Sequence, residues 1–87
     1  MPVSFAARAA VASIVQTQVR AGELDAARDY LDGLLAKTPD DPALRFLRGG
    51  VHVLQEEPDQ AEAIYRKLME EAPDNPRPMQ ALYKLLQ

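Results

Sequence analysis

The sequence predicts an all-α fold, and three observations support this prediction. Apolar residues recur at helical spacing along most of the 87-residue chain. No stretch alternates between apolar and polar residues as a half-buried strand does. A proline follows an acid or an amide at Asp41-Pro42, Glu57-Pro58 and Asn75-Pro76, where a helix can begin. Together these signals divide the chain into about five helices.

The first two helices are bounded by local stop and start signals. Ser4 is a candidate cap for a first helix that runs to about Arg20, and Gly22 ends that helix. Asp25 lies at the start of a second helix, where a carboxylate suits the helix dipole, and Pro39 stops it. Their apolar residues are, for the first helix, Ala7, Val11, Ile14, Val15 and Val19, and for the second, Leu24, Ala27, Leu31, Leu34 and Leu35.

The remaining three helices begin at the proline signals. Asp41-Pro42 opens a third helix that runs to about Gln55, because an acid cap followed by proline suits the first helical position. Glu57-Pro58 opens a fourth, which ends near Ala72-Pro73, and Asn75-Pro76 opens a fifth. The apolar residues of the last two helices are Ala61, Ile64, Tyr65, Leu68 and Met69, then Met79, Leu82, Tyr83, Leu85 and Leu86.

An internal repeat relates these helices. Residues of the same type or size recur 34 positions apart, in pairs that include Asp41-Pro42 and Asn75-Pro76, Ala27 and Ala61, Leu31 and Tyr65, Leu34 and Leu68, and Pro39 and Pro73. A 34-residue helix–turn–helix period is the signature of tetratricopeptide repeats, whose second helix carries Ala, then a large residue four positions on, then Pro. The chain therefore resembles the tetratricopeptide repeat (TPR) family over nearly its whole length.

The resemblance implies an architecture and a binding mode. We expect a single TPR-like domain: an αα-superhelix of two helix–turn–helix repeats, at about 8–41 and 42–75, plus a C-terminal capping helix at about 76–87. The superhelix is expected to be right-handed. In such repeats the first helix of each pair contributes to a concave surface that binds a peptide or helix of another protein.

The first helix of the middle repeat departs from the family pattern. Arg45 and Arg48 fall on its large apolar positions, His52 takes its Tyr position, and only Gly49 matches. Because burying two unpaired arginines costs several kcal/mol, we expect this helix to be rotated, or slipped by one residue. Its polar stripe, Arg45, Arg48, His52 and Gln55, should then face water or a partner.

No constellation for catalysis, a metal or a cofactor is recognisable. The chain has no Cys and one His, His52, with no nucleophile or orienting acid evident beside it. The carboxylate pairs Glu56-Glu57 and Glu70-Glu71 lie at helix boundaries, where solvated acids are common. Asp40-Asp41 is better explained by capping than by metal binding. We therefore expect no enzyme activity and no cofactor.

Charge and hydropathy exclude further classes of function. The net charge is −3 and no basic block stands out, so nucleic-acid binding is disfavoured. No apolar run approaches the ~18–20 residues that span a bilayer. The first residues lack the basic region of a signal peptide, which makes a cytoplasmic location the default expectation. Abundant Ala and an excess of Arg over Lys suggest a bacterial source.

The predicted function is a non-catalytic protein–protein interaction module, an adaptor or scaffold. The candidate partner-binding residues on the first helices are Gln16, Arg20, Arg45, Arg48, His52 and Arg77. Among them, Arg45, Arg48 and His52 form either a docking stripe for an acidic peptide or a solvated helix face. The carboxylate clamp of other TPR proteins is not supported, because Ala12, Gln16 and Leu47 stand at the aligned positions.

Two alternatives remain open at this point. The last helix carries Leu82, Leu85 and Leu86 with few polar neighbours, so part of it must pack back on the second repeat. Any surplus apolar face is either a homodimer interface or an edge from which further repeats were removed. The chain is then a self-association domain, or a regulatory segment excised from a larger multi-repeat protein or enzyme.

Overall fold

Five α-helices make up the part of the chain that the structure describes, a computed structural model of residues 5–87 with side chains from Ala9 onward. They are α1 (Phe5–Arg20), α2 (Leu24–Lys37), α3 (Pro42–Leu54), α4 (Pro58–Glu71) and α5 (Pro76–Leu85). No strand occurs in residues 5–87. The all-α fold and the five predicted helices are confirmed. The predicted cap Ser4 and the side chain of Ala7 lie outside the described residues.

The Asp-Pro and Asn-Pro signals act as predicted at the starts of α3 and α5. The Asp41 carboxylate accepts hydrogen bonds from the backbone N–H groups of Ala43 and Leu44, at 2.9 and 3.3 Å. The Asn75 side-chain oxygen accepts one from the N–H of Arg77 at 3.1 Å. A proline follows each cap, where its missing N–H leaves no helical hydrogen bond unmade. Both helix starts are therefore determined by local sequence.

The turns that precede α2 and α4 have the same backbone form. Gly22 has φ 77° and Glu56, 34 positions later, has φ 61°, so both residues adopt a left-handed backbone conformation. Glycine adopts this conformation freely, whereas a residue with a Cβ is disfavoured by about 1–2 kcal/mol. The second turn keeps the geometry of the first although it lacks the glycine. The repeat is thus present in the backbone and not only in the sequence.

The helices enclose two connected cores. α3 packs against both α2 and α4, α5 packs against α4, and α1 packs on α2 with sparser contact to α3. The first core comprises Val11, Val15, Ala27, Leu31, Leu44 and Val51, and the second Ala61, Tyr65 and Leu82 with Phe46, Ile64, Met69, Ala81 and Leu85 around them. Ala27 and Ala61 are fully buried, as the predicted close approach of the paired helices requires.

α3 is not slipped along its axis, which corrects the register expected from its arginines. A Cβ on Gly49 would lie 2.7 Å from Cε1 of Tyr65, whereas one on Gly50 would meet nothing within 4 Å. Gly49, the glycine that matches the family pattern, therefore lies in close contact with α4. Burial of Tyr65 at this contact raises the pKa of its phenol. The predicted rotation or slip is wrong. Arg45 and Arg48 keep the family register because each forms an ion pair with an acid of this chain.

Some apolar residues stay outside both cores. Leu82 is buried and Leu85 half-buried, so part of α5 packs back on the second repeat as predicted. Met79, Tyr83 and Leu86 remain more than half exposed. Ile14, expected on the apolar face of α1, is 43% exposed because that helix meets its neighbours through Val11 and Val15.

Candidate binding groove

An open groove runs between α1 and α3, the first helices of the two repeats. Its volume is about 250 Å³. Its lining is mostly apolar and comes from both helices: Val15, Gln16, Val19 and Arg20 on one side, and Phe46, Leu47, Gly50, Val51 and Leu54 on the other. The groove therefore offers an apolar surface between two helices rather than an enclosed pocket.

The groove exists because α1 and α3 touch only sparsely and because α3 has a glycine facing it. Val15 and Val51 are 4% and 1% exposed, and both belong to the first core. Gly50 contributes no side chain, and the space where its Cβ would point is empty to 4 Å. Leu54 is 49% exposed. The base of the groove is therefore buried, and its apolar α3 side is accessible at Leu54.

The polar groups of the groove all come from α1. Gln16 and Arg20 are four residues apart, so they lie on one side of the helix. Both are exposed. Arg20 also stands in the last turn of α1, where its positive charge suits the helix dipole. The groove therefore has one cationic end and an amide that can both donate and accept hydrogen bonds.

Arg45 and Arg48 lie on a different side of α3 and pair with acids of this chain. The Nη1 atom of Arg45 lies 2.6 Å from Oε1 of Glu71, and Nε of Arg48 lies 2.8 Å from Oδ1 of Asp32. The two arginine side chains are only 16% and 12% exposed. The expectation that they face water is wrong. Each guanidinium is largely covered and has an acidic partner, although Nη1 of Arg48 is buried without a hydrogen-bond partner among the described residues.

The rest of the polar stripe also bonds to acids. Nδ1 of His52 lies 3.0 Å from Oε1 of Glu57, and Nε2 of Gln55 donates to Oδ1 of Asp25 at 3.0 Å. The stripe thereby ties α3 to α2 and to the turn that precedes α4. At its other end, the hydrogen bond from Arg45 lowers the pKa of Glu71.

The six sequence-predicted residues therefore fall in three places. Gln16 and Arg20 line the groove, and Arg77 is exposed in the first turn of α5. The remaining three, Arg45, Arg48 and His52, lie on the polar side of α3, each beside a carboxylate of this chain. The apolar wall of the groove was not among the predicted site residues. A signal existed in the sequence, because α3 carries many apolar residues off its polar stripe, with Gly50 among them.

The described residues hold no group suited to a metal. No three His, Cys, Asp or Glu side chains in the described part of the chain lie together as metal ligands would. Nor is any helix within the described range long and apolar enough to cross a membrane.

Comparison with known proteins gives one match. A family model described as tetratricopeptide repeat matches residues 18–86, which run from the end of α1 through α5. No curated protein and no solved structure matched the chain. The match covers α2 to α5, which build the second core and the α3 wall of the groove, and it leaves out Val11 and Val15 of α1.

Proposed function

Because the chain belongs to the tetratricopeptide repeat family, we propose that it is an adaptor or scaffold that binds a partner protein in the groove between α1 and α3. Repeats of this family generally mediate protein–protein interaction and are typically non-catalytic. The observation that carries the proposal is the open apolar groove between two first helices.

The groove suits apolar side chains presented by a short helix or peptide. At about 250 Å³ it is smaller than most small-molecule pockets, which span roughly 300–1,000 Å³, and it is open along one side. Such a surface binds a partner by a few apolar anchors set into a preformed groove. Affinity would come from burial of Leu54 and the wall around Gly50. Gln16 and Arg20 would orient the partner.

The other candidate residues enter the proposal in different roles. An acidic peptide bound to Arg45, Arg48 and His52 would have to displace the carboxylates that already pair with them. We therefore assign these three the role of holding the wall of α3 in position. A partner reaches Arg77 only if it extends along the first helices beyond the groove.

The experiment fills the groove without disturbing the fold. Peptides that bind the 87-residue chain are selected from a displayed random library, and the best binder is titrated by fluorescence anisotropy. Gly50→Leu projects a side chain into the empty space of the groove and should weaken binding by at least about tenfold. Arg20→Glu should weaken the binding of acidic peptides.

The matched control is Gly33→Leu on α2. Gly33 is also a helical glycine whose Cβ would meet nothing within 4 Å, but it lies outside the groove. The proposal requires Gly33→Leu to bind as the unsubstituted chain does. Selected peptides that bind Gly50→Leu and the unsubstituted chain equally would overturn it.

A further inference from the structure

The same face of each first helix can be compared through the 34-residue repeat. On α3 this face comprises positions 45, 49 and 52, and all three meet α4 or the turn before it. Arg45 pairs with Glu71, and His52 lies 3.0 Å from Glu57. Gly49 lies against Tyr65. On α3, therefore, this face is covered by an antiparallel second helix.

The equivalent face of α1 is covered as well. A shift of 34 residues leads to Val11, Val15 and Gln18. Val11 and Val15 are 9% and 4% exposed and pack in the core with Leu31 of α2. Here the face is apolar and has Val15 at the position of Gly49. On α1, therefore, a second helix packs on this face through apolar residues.

On α5 the same face is open. The equivalent residues are Met79, Tyr83 and Leu86, which are 54%, 67% and 60% exposed. Their spacing of four and three residues places them on one side of the helix, next to the buried Leu82. We call these three residues the α5 stripe. Among residues 5–87, a helix covers this face on α1 and on α3, but no helix covers the α5 stripe.

The side chains of the α5 stripe differ from those on the equivalent face of α3. This difference restricts the kind of partner that can bind to the stripe. Tyr83 stands where Gly49 admits the ring of Tyr65. A further helix like α4, with a bulky central residue, would therefore meet the Tyr83 ring. Apolar residues replace Arg45 and His52, so an acidic helix has no cation to pair with at these positions.

From this geometry we propose that the α5 stripe binds the α5 stripe of a second copy of the chain, with the two helices antiparallel about a two-fold axis. The stripe is self-complementary in that arrangement. Met79 of one copy lies opposite Leu86 of the other, and the two Tyr83 rings meet near the axis. An isologous contact of this kind is the commonest way in which soluble chains form dimers.

The charges near the stripe are compatible with such a dimer. α5 contains two cations, Arg77 and Lys84, and no acid. At about 100° per residue, both cations lie on the side of the helix away from Tyr83, so like charges do not oppose one another. The acids that give the chain its net charge of −3 all lie outside α5.

The size of the stripe indicates a weak, reversible dimer. Three side chains, each more than half exposed, and their flanks would bury on the order of 800 Å² over both copies, less than the ~1,200–2,000 Å² of stable specific interfaces. Dimerisation should therefore be measurable only at micromolar or higher concentration. By sedimentation velocity, the mean mass of the 9.6 kDa chain should rise towards twice that value between about 10 and about 500 μM.

Substitution in α5 tests where the dimer forms. Tyr83→Asp buries a carboxylate at the proposed axis and should abolish the mass increase. Lys84→Gln lowers the net charge by the same one unit on the side of α5 away from Tyr83 and should preserve it. Tyr83 is 67% exposed, so its replacement should leave the folded state intact, as circular dichroism will show. A chain that stays monomeric at about 500 μM overturns the proposal. So does a dimer that survives Tyr83→Asp.

Cross-linking tests the antiparallel arrangement, because the chain contains no Cys. Met79→Cys and Leu86→Cys chains are mixed and oxidised. The proposal requires the mixed disulfide to exceed either symmetric one. Predominance of the symmetric Leu86→Cys or Met79→Cys dimer would instead indicate a parallel or random encounter and would reject the antiparallel pair.

Discussion

Three glycines inside helices have three different surroundings in this molecule. Gly33 faces open space on α2, Gly50 faces the groove, and Gly49 lies against the ring of Tyr65. Glycine in a helix interior is disfavoured by about 0.5–1 kcal/mol relative to Ala. Only Gly49 is compensated by a close contact between helices, since a Cβ there would lie 2.7 Å from that ring.

Alanine substitution should therefore change the stability of the fold differently at these three positions. Gly33→Ala and Gly50→Ala should stabilise the fold by roughly 0.5–1 kcal/mol, because each gains helix propensity without a clash. Gly49→Ala should destabilise it by about 1–3 kcal/mol, because α3 and α4 must move apart. Urea unfolding followed by circular dichroism measures all three. A Gly49→Ala chain as stable as Gly50→Ala would show that the contact with Tyr65 is not tight.

The caps and the arginines differ in how far sequence alone predicts them. The cap at Asp41 was predictable because its hydrogen-bond partners are two and three residues away. The burial of Arg45 and Arg48 was not, because Glu71 and Asp32 lie 26 and 16 residues away in the sequence. Nothing in the sequence distinguishes these two acids from the other acids of the chain.

The position of α3 depends on ion pairs as well as on apolar contact. Arg48 connects it to α2, and Arg45 connects it to the last turn of α4. Both arginines lie on the polar side of α3, and their pairs connect the helix that forms one wall of the groove to its two neighbours. The polar stripe therefore helps to fix the position of α3 relative to α2 and α4.

The pair between Arg45 and Glu71 should make part of the stability depend on pH. Arg45 lowers the pKa of Glu71 below the ordinary value of 4.5, so the folded state favours the ionised carboxylate. The resulting stabilisation is present above that ordinary value and disappears as the pH falls through the lowered pKa. Glu71→Gln should therefore destabilise the chain at pH 7 and have little effect in strong acid.

The neighbouring acid Glu70 provides a control. It is exposed in the same turn, and Glu70→Gln should change stability little at either pH. Urea unfolding at neutral pH and in strong acid gives the comparison. An equal loss of stability for Glu71→Gln under both conditions would mean that the ion pair does not contribute.

α5 shows how far periodicity can predict a single helix. Its helical pattern and the inward direction of Leu82 were predictable from apolar spacing. The division between a half-buried Leu85 and an exposed Leu86 was not, because it depends on where α4 ends against the helix. Leu85 therefore packs on the second core, whereas Met79, Tyr83 and Leu86 are left for contact with a second copy.

Residues 5–87 hold two repeats and a final helix, which are too few to form an extended superhelix among themselves. The radius of gyration is 12.4 Å, close to the ~12 Å expected for a compact domain of this length. Two repeats and a final helix therefore provide one short groove instead of a long concave surface. A partner that binds there needs to present only a few apolar side chains.

The repeat and the groove differ in their origin. The period of 34 residues appears in the sequence because each turn, cap and small buried residue acts locally. The groove lies between α1 and α3, which contact each other sparsely although each packs on α2. Their relative placement depends on all three helices together, so no single segment of sequence predicts it.

Amide chemical-shift mapping of the isotope-labelled chain with a selected peptide is the measurement to make first. If the partner binds between the first helices, the largest shifts should fall on Gln16, Val19, Leu47, Gly50 and Leu54. Amides of the α5 stripe and of α2 should change little at a chain concentration where the dimer is absent. Shifts centred on α4 and α5, with none at Gly50, would contradict binding in the groove.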